Sequence, residues 1–235
     1  MGKQKKAQEF WSKSKAPEAK HMSNFTKSDR VIEVTWRMLH DCKLDLSTGG
    51  GYFDSVEAVY QFCKYLCLKD HEWSKDEKKA KQEKEEWSKK FNTIKDQCMS
   101  GGTHAIGLKA KRIGSRKMLK AHGVALDLKK WNWPMQETVM KMAVAARAKV
   151  DVKYAEQLEK ARAEGWVWLH LEPKRDGSTP EWGVQWSTKS KSYVGNNRLG
   201  LIMAQVASDR HRESASFSSA VSIQRSQPLP LALRE

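Results

Sequence analysis

The stretch that decides how this chain is organised is residues 54–64, DSVEAVYQFCK. Its apolar residues recur at helical spacing, and polar residues that suit an N-cap come first, so the stretch predicts an amphipathic helix. On that helix Glu57, Gln61 and Lys64 fall at i, i+4 and i+7 and share one stripe beside the apolar one.

This polar stripe admits two interpretations. The ordinary one is a surface Glu and Lys, since long charged side chains are mostly exposed. The functional one is a partly buried carboxylate, amide and ammonium in a row, which is costly unless the charges are paired. The rest of the chain bears on this choice.

Composition indicates the kind of partner. The 235 residues carry a net charge of +15 and ten Trp. A basic surplus favours nucleic acid, nucleotides or phosphorylated ligands, although it also serves solubility alone. Tryptophans can stack on bases or fill a core. We therefore expect a polyanionic partner, with nucleic acid among the candidates, held through phosphate contacts.

No apolar run approaches the ~18 residues of a membrane span, and the first twenty residues contain Lys throughout with no apolar block. The four cysteines form no CxxC pair and no zinc-finger cluster with His. We expect reduced thiols, no metal or cofactor, no membrane association, and an intracellular monomer in the cytoplasm or nucleus.

The chain divides into three parts by composition. Residues 1–9 are a basic leader, 10–207 a single domain, and 208–235 a Ser-rich tail predicted to be disordered. Within the domain, the pattern of 70–97 predicts a highly charged helix with sparse apolar anchors, which we interpret as an insertion with a solvated face.

Further elements follow from local patterns. Residues 31–38 are β-rich and predict a strand, and 103–113 predict a helix. The basic turn after that helix, 111–117, suits a phosphate. A buried strand at 166–172 brings Glu172 into a loop, and a Gly-Asn-Asn turn at 195–197 precedes the final helix.

Taken together, these motifs occur in the order typical of one family. They are an aromatic start, Ser-Asn-Phe, a helix with Ser, Glu, an aromatic, Gln and Lys, a basic turn ending in Gly, a Trp before a Met-containing helix, a strand ending in Glu, Trp-Gly, and Gly-x-Asn-x-Leu-Gly. The chain supplies Phe10, Ser23 to Phe25, Ser55, Glu57, Tyr60, Gln61, Lys64, Ala110 to Gly114, Trp131, Met140, Glu172, Trp182, Gly183, Gly195, Asn197, Leu199 and Gly200. In this it resembles the NADAR family, named for NAD and ADP-ribose association and also called YbiA-like.

The resemblance implies an α+β fold, a mostly helical single domain with a small β-sheet. It also implies hydrolysis of an N-glycosidic bond between ribose C1 and an exocyclic nitrogen. A carboxylate can stabilise the positive charge that builds at C1 while it activates water. We expect that carboxylate to be Glu57, kept ionised by the positive end of its helix.

The remaining roles are assigned by chemistry. Lys64 is expected to hold a phosphate or hydroxyl, or, with a depressed pKa, to form a Schiff base with the ring-opened sugar. The predicted substrate-binding residues are Asn24 and Asn197 for ribose hydroxyls, Trp131 and Trp182 for base stacking, Arg112, Arg116 and Lys117 for phosphates, and in addition Phe25, Gln61 and Glu172.

Three hypotheses for function stay open at this point. The first is a hydrolase that removes ADP-ribose from the guanine amino group of modified nucleic acid. The second is an N-glycosidase acting on phosphoribosylamino-pyrimidine intermediates of riboflavin synthesis. The third is a non-catalytic ADP-ribose reader or a basic nucleic-acid binder. The basic surface and the Trp content favour the first.

Overall fold

The helices begin where short polar side chains cap them. Ser55 Oγ accepts a hydrogen bond from Ala58 N, Asn132 Oδ1 from Met135 N, and Asp151 Oδ1 from Tyr154 N. Each cap satisfies one of the backbone N–H groups that a first helical turn leaves without a partner. The local sequence thus fixes these helix starts before any packing.

The computed structural model describes residues 7–10, 16–44, 49–69, 74–172 and 179–225, without the side chains of Ala7, Arg116 and 217–225. In these ranges the strands are β1 Ala7–Phe10, β2 Ile32–Val34, β3 Gly51–Phe53, β4 Val167–His170, β5 Gln185–Ser187 and β6 Ser192–Val194. The helices are α1 Pro17–His21, α2 Trp36–Asp41, α3 Val56–Tyr65, α4 Glu77–Cys98, α5 Gly107–Ile113, α6 Arg116–Ala121, α7 Trp133–Val150, α8 Val152–Ala163 and α9 Arg198–Arg225. This is a mixed α+β domain, mostly helical, as the sequence predicts.

Strand pairing departs from the single small sheet that we expected. The described strands form three separate pairs: β1 with β4 in parallel, and β2 with β3 and β5 with β6 antiparallel. The strand expected at 31–38 stops at Val34, because Thr35 caps α2 through a hydrogen bond from Met38 N. The leader expected at 1–9 is also too long, since residues 7–9 already belong to β1; residues 1–6 lie outside the described ranges.

Helix α3 lies at the centre of the core. Every side chain from Val56 to Cys63 is buried, including those of Glu57 and Gln61. It packs against α7 on one side and against α4 and α5 on others. Among the described residues of the expected insertion, Phe91 and Ile94 of α4 join the same core, so the charged helix is anchored along one face. Residues 70–73 lie outside the described ranges.

A buried ion pair fixes the segment before β2 to α7. Arg147 Nε donates to Asp151 Oδ2 over 3.0 Å, and both side chains are fully buried. The same guanidinium donates to the carbonyl oxygens of His21 and Ser23. Burial alone would raise the pKa of Asp151, but hydrogen bonds from His21, Tyr154 N and Arg147 hold it well below its usual range. Asn24 and Phe25 follow directly on this anchored segment.

The tail prediction is wrong for residues 208–225, which continue α9 as helix. Serine in this stretch is compatible with helix because its hydroxyl can bond the carbonyl one turn back, as Ser208 Oγ does to Ala204 O and Ser214 Oγ to Arg210 O. Asp209 also forms an ion pair of 3.0 Å with Lys141 of α7. Residues 226–235 lie outside the described ranges. Every described helix is too short or too polar to cross a bilayer.

Candidate active site

The centre of the site is the carboxylate of Glu57 in the first turn of α3. Its side chain is 6% exposed, so the ordinary interpretation of a surface glutamate is wrong. Its backbone N–H donates to Asn24 O over 3.1 Å, which ties the Ser-Asn-Phe segment to the helix start. Ser55 Oγ, which caps the helix, donates to Ala105 O over 2.7 Å. These two bonds hold the helix start that carries the carboxylate, one to a segment earlier in the chain and the other to a segment later in the chain.

Burial sets the protonation behaviour of Glu57. Removal from water raises its pKa, while the hydrogen bond from Gln61 Nε2 to its Oε1 (2.7 Å) and the charges of Lys111 and Lys64 act in the opposite direction. The net direction is upward, which corrects the expectation that the helix dipole keeps this carboxyl simply ionised. A carboxyl with a raised pKa in a mostly buried site is typical of acid–base catalysis.

Two residues that bond to Glu57 each carry a buried acceptor atom without a hydrogen-bond partner in the described part of the chain. These atoms are Gln61 Oε1 and Asn24 Oδ1. Their amide nitrogens are engaged, with Glu57 and with Met140 Sδ respectively. Leaving a buried acceptor unpaired costs about 1–3 kcal/mol, so the arrangement suits a ligand that brings hydroxyl donors.

The turn between α5 and α6 closes over the polar stripe. Lys64 Nζ donates to Gly114 O over 2.7 Å. A Cβ at residue 114 would stand 1.6 Å from Gln61 Oε1, so only glycine allows this approach. The Gly that ends the basic turn is therefore explained by packing against α3 rather than by a phosphate.

The end of β4 forms a second polar wall. Burial, together with the charge of Lys111, lowers the pKa of His170 to about 4, so its ring is neutral at pH 7. Glu172 N donates to Val184 O, and Glu172 Oε1 is buried without a partner among the described residues. A Cβ at Gly183 would meet His170 O at 2.1 Å, which explains the glycine of Trp-Gly.

Aromatic rings line the side of the site beyond Glu57. Tyr60 packs edge-on against Trp131 (centroids 5.1 Å apart) and Trp182 (5.7 Å), and Trp182 contacts Trp133 at 5.1 Å. Trp131 is only 4% exposed, so its ring forms part of the wall of the site. Trp182 is half-buried and is the better placed of the two predicted stacking residues.

A cavity of about 740 Å³ opens along α3, and its lining includes Tyr60 and Lys64 of the same helix together with Trp131 and Gln136. Tyr60 Oη donates to Gln136 Oε1 over 3.0 Å. The volume suits a nucleotide-sized ligand, but Glu57 is not among the lining residues, so the cavity adjoins the carboxyl through Tyr60 and Lys64 and does not contain it. Lys64 borders this cavity two helical turns after Glu57.

The predicted phosphate-binding residues lie less centrally than expected. Arg112 and Lys117 are exposed, and the side chain of Arg116 lies outside the described part of the structure. Lys111 is also exposed, but its charge favours the ionised form of Glu57 and the neutral form of His170, and its Nζ lies 5.4 Å from the Phe25 ring centroid. Phe25 therefore contributes to the site through its contact with Lys111.

Asn197 has a structural role instead of the predicted ribose contact. Its Oδ1 accepts from His170 N and its Nδ2 donates to Trp168 O, so both amide atoms bind the backbone of β4. Its φ of 47° lies in the left-handed region, which asparagine tolerates better than most residues. The Asn-x-Leu-Gly motif therefore joins the start of α9 to β4.

One group of possible metal ligands occurs in the described residues, namely His21, Asp29 and Asp151. Arg147 already donates to Asp151 Oδ2, and His21 Nε2 lies 2.9 Å from Asp151 Oδ1. A cation would have to share this carboxylate with a buried guanidinium, so the donor set does not fit a metal.

Sequence reasoning missed Lys111 and His170 as site residues. Gly107, Ala110, Lys111 and Gly114 fall at i, i+3, i+4 and i+7, and the buried Ala110 and Gly114 mark that face. The spacing therefore could have distinguished Lys111 from Arg112, although both side chains are exposed. His170 carries no comparable local signal, because its role depends on the pairing of β4 with β1.

Comparison with known proteins adds no relative: no family model, curated protein or solved structure matches this chain.

Proposed function

We propose that this protein is an N-glycosidic hydrolase of the NADAR type, with a NADAR-like fold, that removes ADP-ribose from the guanine amino group of modified DNA. The observation that carries the proposal is the buried Glu57 carboxyl, together with the buried side-chain oxygens of Asn24 and Gln61, which have no hydrogen-bond partner among the described residues. A ribose offers hydroxyl donors for such acceptors, and its C1 develops the positive charge that a nearby carboxylate stabilises.

The reaction requires one water and one proton relay. Glu57 takes a proton from water, the water oxygen bonds to ribose C1, and the bond between C1 and the exocyclic nitrogen breaks. The same proton then passes to that nitrogen, which leaves as the guanine amino group. Burial raises the pKa of Glu57, which shifts this carboxyl in the direction that suits a group acting first as base and then as acid.

Substrate binding follows from the surroundings of this carboxyl. Lys64 and Lys111 bring positive charge toward a diphosphate, and half-buried Trp182 offers a ring to a base. Glu172 is the second carboxyl of the site and is assigned to binding, since its buried Oε1 has no hydrogen-bond partner among the described residues.

We infer an intracellular location, in the cytoplasm or nucleus, and a monomer. All four cysteines are free and buried, and burial raises the pKa of the Cys67 and Cys98 thiols to about 12, so they stay protonated. Reduced thiols are usual in intracellular proteins.

Binding to unmodified DNA should depend strongly on salt. The net charge of +15 favours phosphate contacts, and each contact releases counterions. With about three contacts to a single strand, affinity should fall more than about tenfold between 50 and 200 mM salt. Fluorescence anisotropy of a labelled oligonucleotide measures this. A flat salt profile would contradict DNA binding and favour a free nucleotide substrate.

One experiment with two parallel reactions distinguishes the candidate functions. The protein is offered, in separate reactions, an oligonucleotide carrying ADP-ribosylated guanine and a phosphoribosylamino-pyrimidine. The proposal expects free ADP-ribose from the first and little turnover of the second. Turnover of the pyrimidine alone would identify the riboflavin-intermediate glycosidase, and ADP-ribose binding without turnover would identify a reader.

A further inference from the structure

The β5–β6 hairpin projects from the wall of the candidate site. Gln185 pairs with Val194, Trp186 with Tyr193, and Ser187 with Ser192. In the described residues neither strand pairs with a third one. The base of the hairpin is held by Val184, which bridges to Leu171 just after β4. The hairpin is therefore anchored at one end and open along both edges.

Its exposed face is aromatic. Trp186 and Tyr193 stand directly opposite each other with ring centroids 5.1 Å apart, and they are 53% and 37% exposed. Large aromatic side chains on an open two-stranded ribbon gain little from the core. The two rings meet edge-on, at an interplanar angle of 74°, and their remaining exposed surface indicates a binding role toward a flat partner.

The tip of the hairpin is basic. Lys189 and Lys191 lie in the exposed turn between the strands, and residues 185–194 contain no acidic side chain. Aromatic rings beside lysines match the two chemistries of a nucleic-acid strand, namely base faces and phosphates. The charge surplus of the whole chain supports the same polyanionic partner.

The hairpin follows directly in the chain after a residue that packs on the candidate site. Trp182 packs on Tyr60 of α3, and Trp186 follows four residues later, after bends at residues 182 and 183. Four residues span at most about 14 Å even when fully extended, so the aromatic face of the hairpin begins close to the ring that packs on α3.

We propose that the β5–β6 hairpin binds single-stranded DNA, with Trp186 and Tyr193 stacking on bases that flank the modified guanine and Lys189 and Lys191 contacting phosphates. The inference rests on the proposed function for its choice of DNA strand. A duplex base is already stacked on its neighbours, so the hairpin selects unpaired bases.

The test uses an unmodified twelve-nucleotide single strand, so that binding is measured without turnover. Stacking on one ring contributes about 1–3 kcal/mol per base, so Trp186→Thr, which keeps a strand-forming residue, should weaken binding about fivefold or more. Trp186→Phe should retain most of the affinity. The matched control is Trp36→Thr, since Trp36 is 62% exposed elsewhere on the chain, and its affinity should stay within about twofold of wild type.

Charge is tested in the same way. Lys189→Glu with Lys191→Glu should weaken binding and reduce its salt dependence, whereas Lys78→Glu with Lys81→Glu on exposed α4 makes the same charge change and should do less. Equal losses in both pairs would overturn the assignment of the hairpin, as would unchanged binding by Trp186→Thr. Equally tight, Trp186-dependent binding of a duplex would overturn the preference for a single strand.

The two proposals can fail separately. If no substrate yields ADP-ribose but Trp186→Thr still loses oligonucleotide binding, the hydrolase proposal fails and the DNA-binding surface stands. If ADP-ribose is released and Trp186→Thr binds and reacts like wild type, the hairpin proposal fails alone.

Discussion

Glu57→Gln is expected to fold normally, to bind ADP-ribose, and to lose at least about a hundredfold in turnover. Glutamine keeps the shape of the side chain, and its carbonyl oxygen can still accept the hydrogen bond that Gln61 Nε2 donates over 2.7 Å. What it removes is the group that takes the proton and stabilises charge at ribose C1, and such groups contribute about 10²–10⁴-fold. Steady-state release of ADP-ribose measures the loss.

Matched variants show whether the effect belongs to this carboxyl. Glu33→Gln makes the same change on an exposed strand residue and should leave turnover unchanged. Lys64→Ala should weaken binding if Lys64 holds phosphate, and should abolish turnover with loss of a borohydride-trapped adduct if it forms a Schiff base. Near-normal turnover of Glu57→Gln would contradict the catalytic assignment, and Glu172 would become the next candidate.

The raised pKa of Glu57 adds a stability readout. Between the ordinary carboxyl pKa of 4.5 and the raised folded value, the folded protein binds this proton more tightly than the unfolded chain does. Stability therefore falls as pH rises through that window, and the Glu57→Gln variant, which has no proton to lose there, does not share the loss. The melting temperature of Glu57→Gln should match or exceed that of wild type, by more at pH 8 than at pH 4. The acidic limb of the wild-type rate should lie above pH 4.5.

Arg147→Met is expected to destabilise the fold by about 3–5 kcal/mol, because it leaves the Asp151 carboxylate buried without its guanidinium. The carbonyl oxygens of His21 and Ser23 lose their donors in the same step. Since Asn24 follows this segment and its carbonyl binds Glu57 N, the site should loosen as well. Urea unfolding at pH 7 gives the free energy.

The control for this variant is an exposed ion pair. Lys153 Nζ lies 3.9 Å from Asp29 Oδ2, and both side chains are largely exposed. Lys153→Met should change stability by no more than about 1 kcal/mol, as exposed pairs usually do. An Arg147→Met protein as stable as the Lys153→Met protein would show that the buried pair does not hold the segment.

The sequence predicts local structure well where one signal decides it. The cap at Ser55 and the apolar spacing after it place α3 correctly, and with it the stripe of Glu57, Gln61 and Lys64. Spacing alone could not show that the stripe is buried, because its burial depends on α5, α7 and the 23–25 segment, which come from elsewhere in the chain. The same limitation applies to Asn197, which the sequence predicts to bind ribose hydroxyls although its side chain binds the backbone of β4.

The predicted ends of strands and helices are wrong where two local preferences compete. Residues 31–38 are rich in strand formers, yet the capping hydroxyl of Thr35 ends the strand and begins α2. The Ser-rich stretch after 207 has the composition of a disordered tail, yet it follows an established helix whose Asp209 reaches Lys141. Extending an existing helix avoids the cost of nucleation, which composition alone does not register.

The central claim is that water cleaves the bond between ribose C1 and the guanine nitrogen, with Glu57 as the proton carrier. The most direct test is the mass of both products after one turnover in ¹⁸O-labelled water. The account predicts ADP-ribose carrying one ¹⁸O on C1 and an oligonucleotide with unmodified guanine, both formed at least about a hundredfold more slowly by Glu57→Gln. Cleavage at the diphosphate, recovery of unlabelled ADP-ribose, or the same products from Glu57→Gln at the wild-type rate would contradict it.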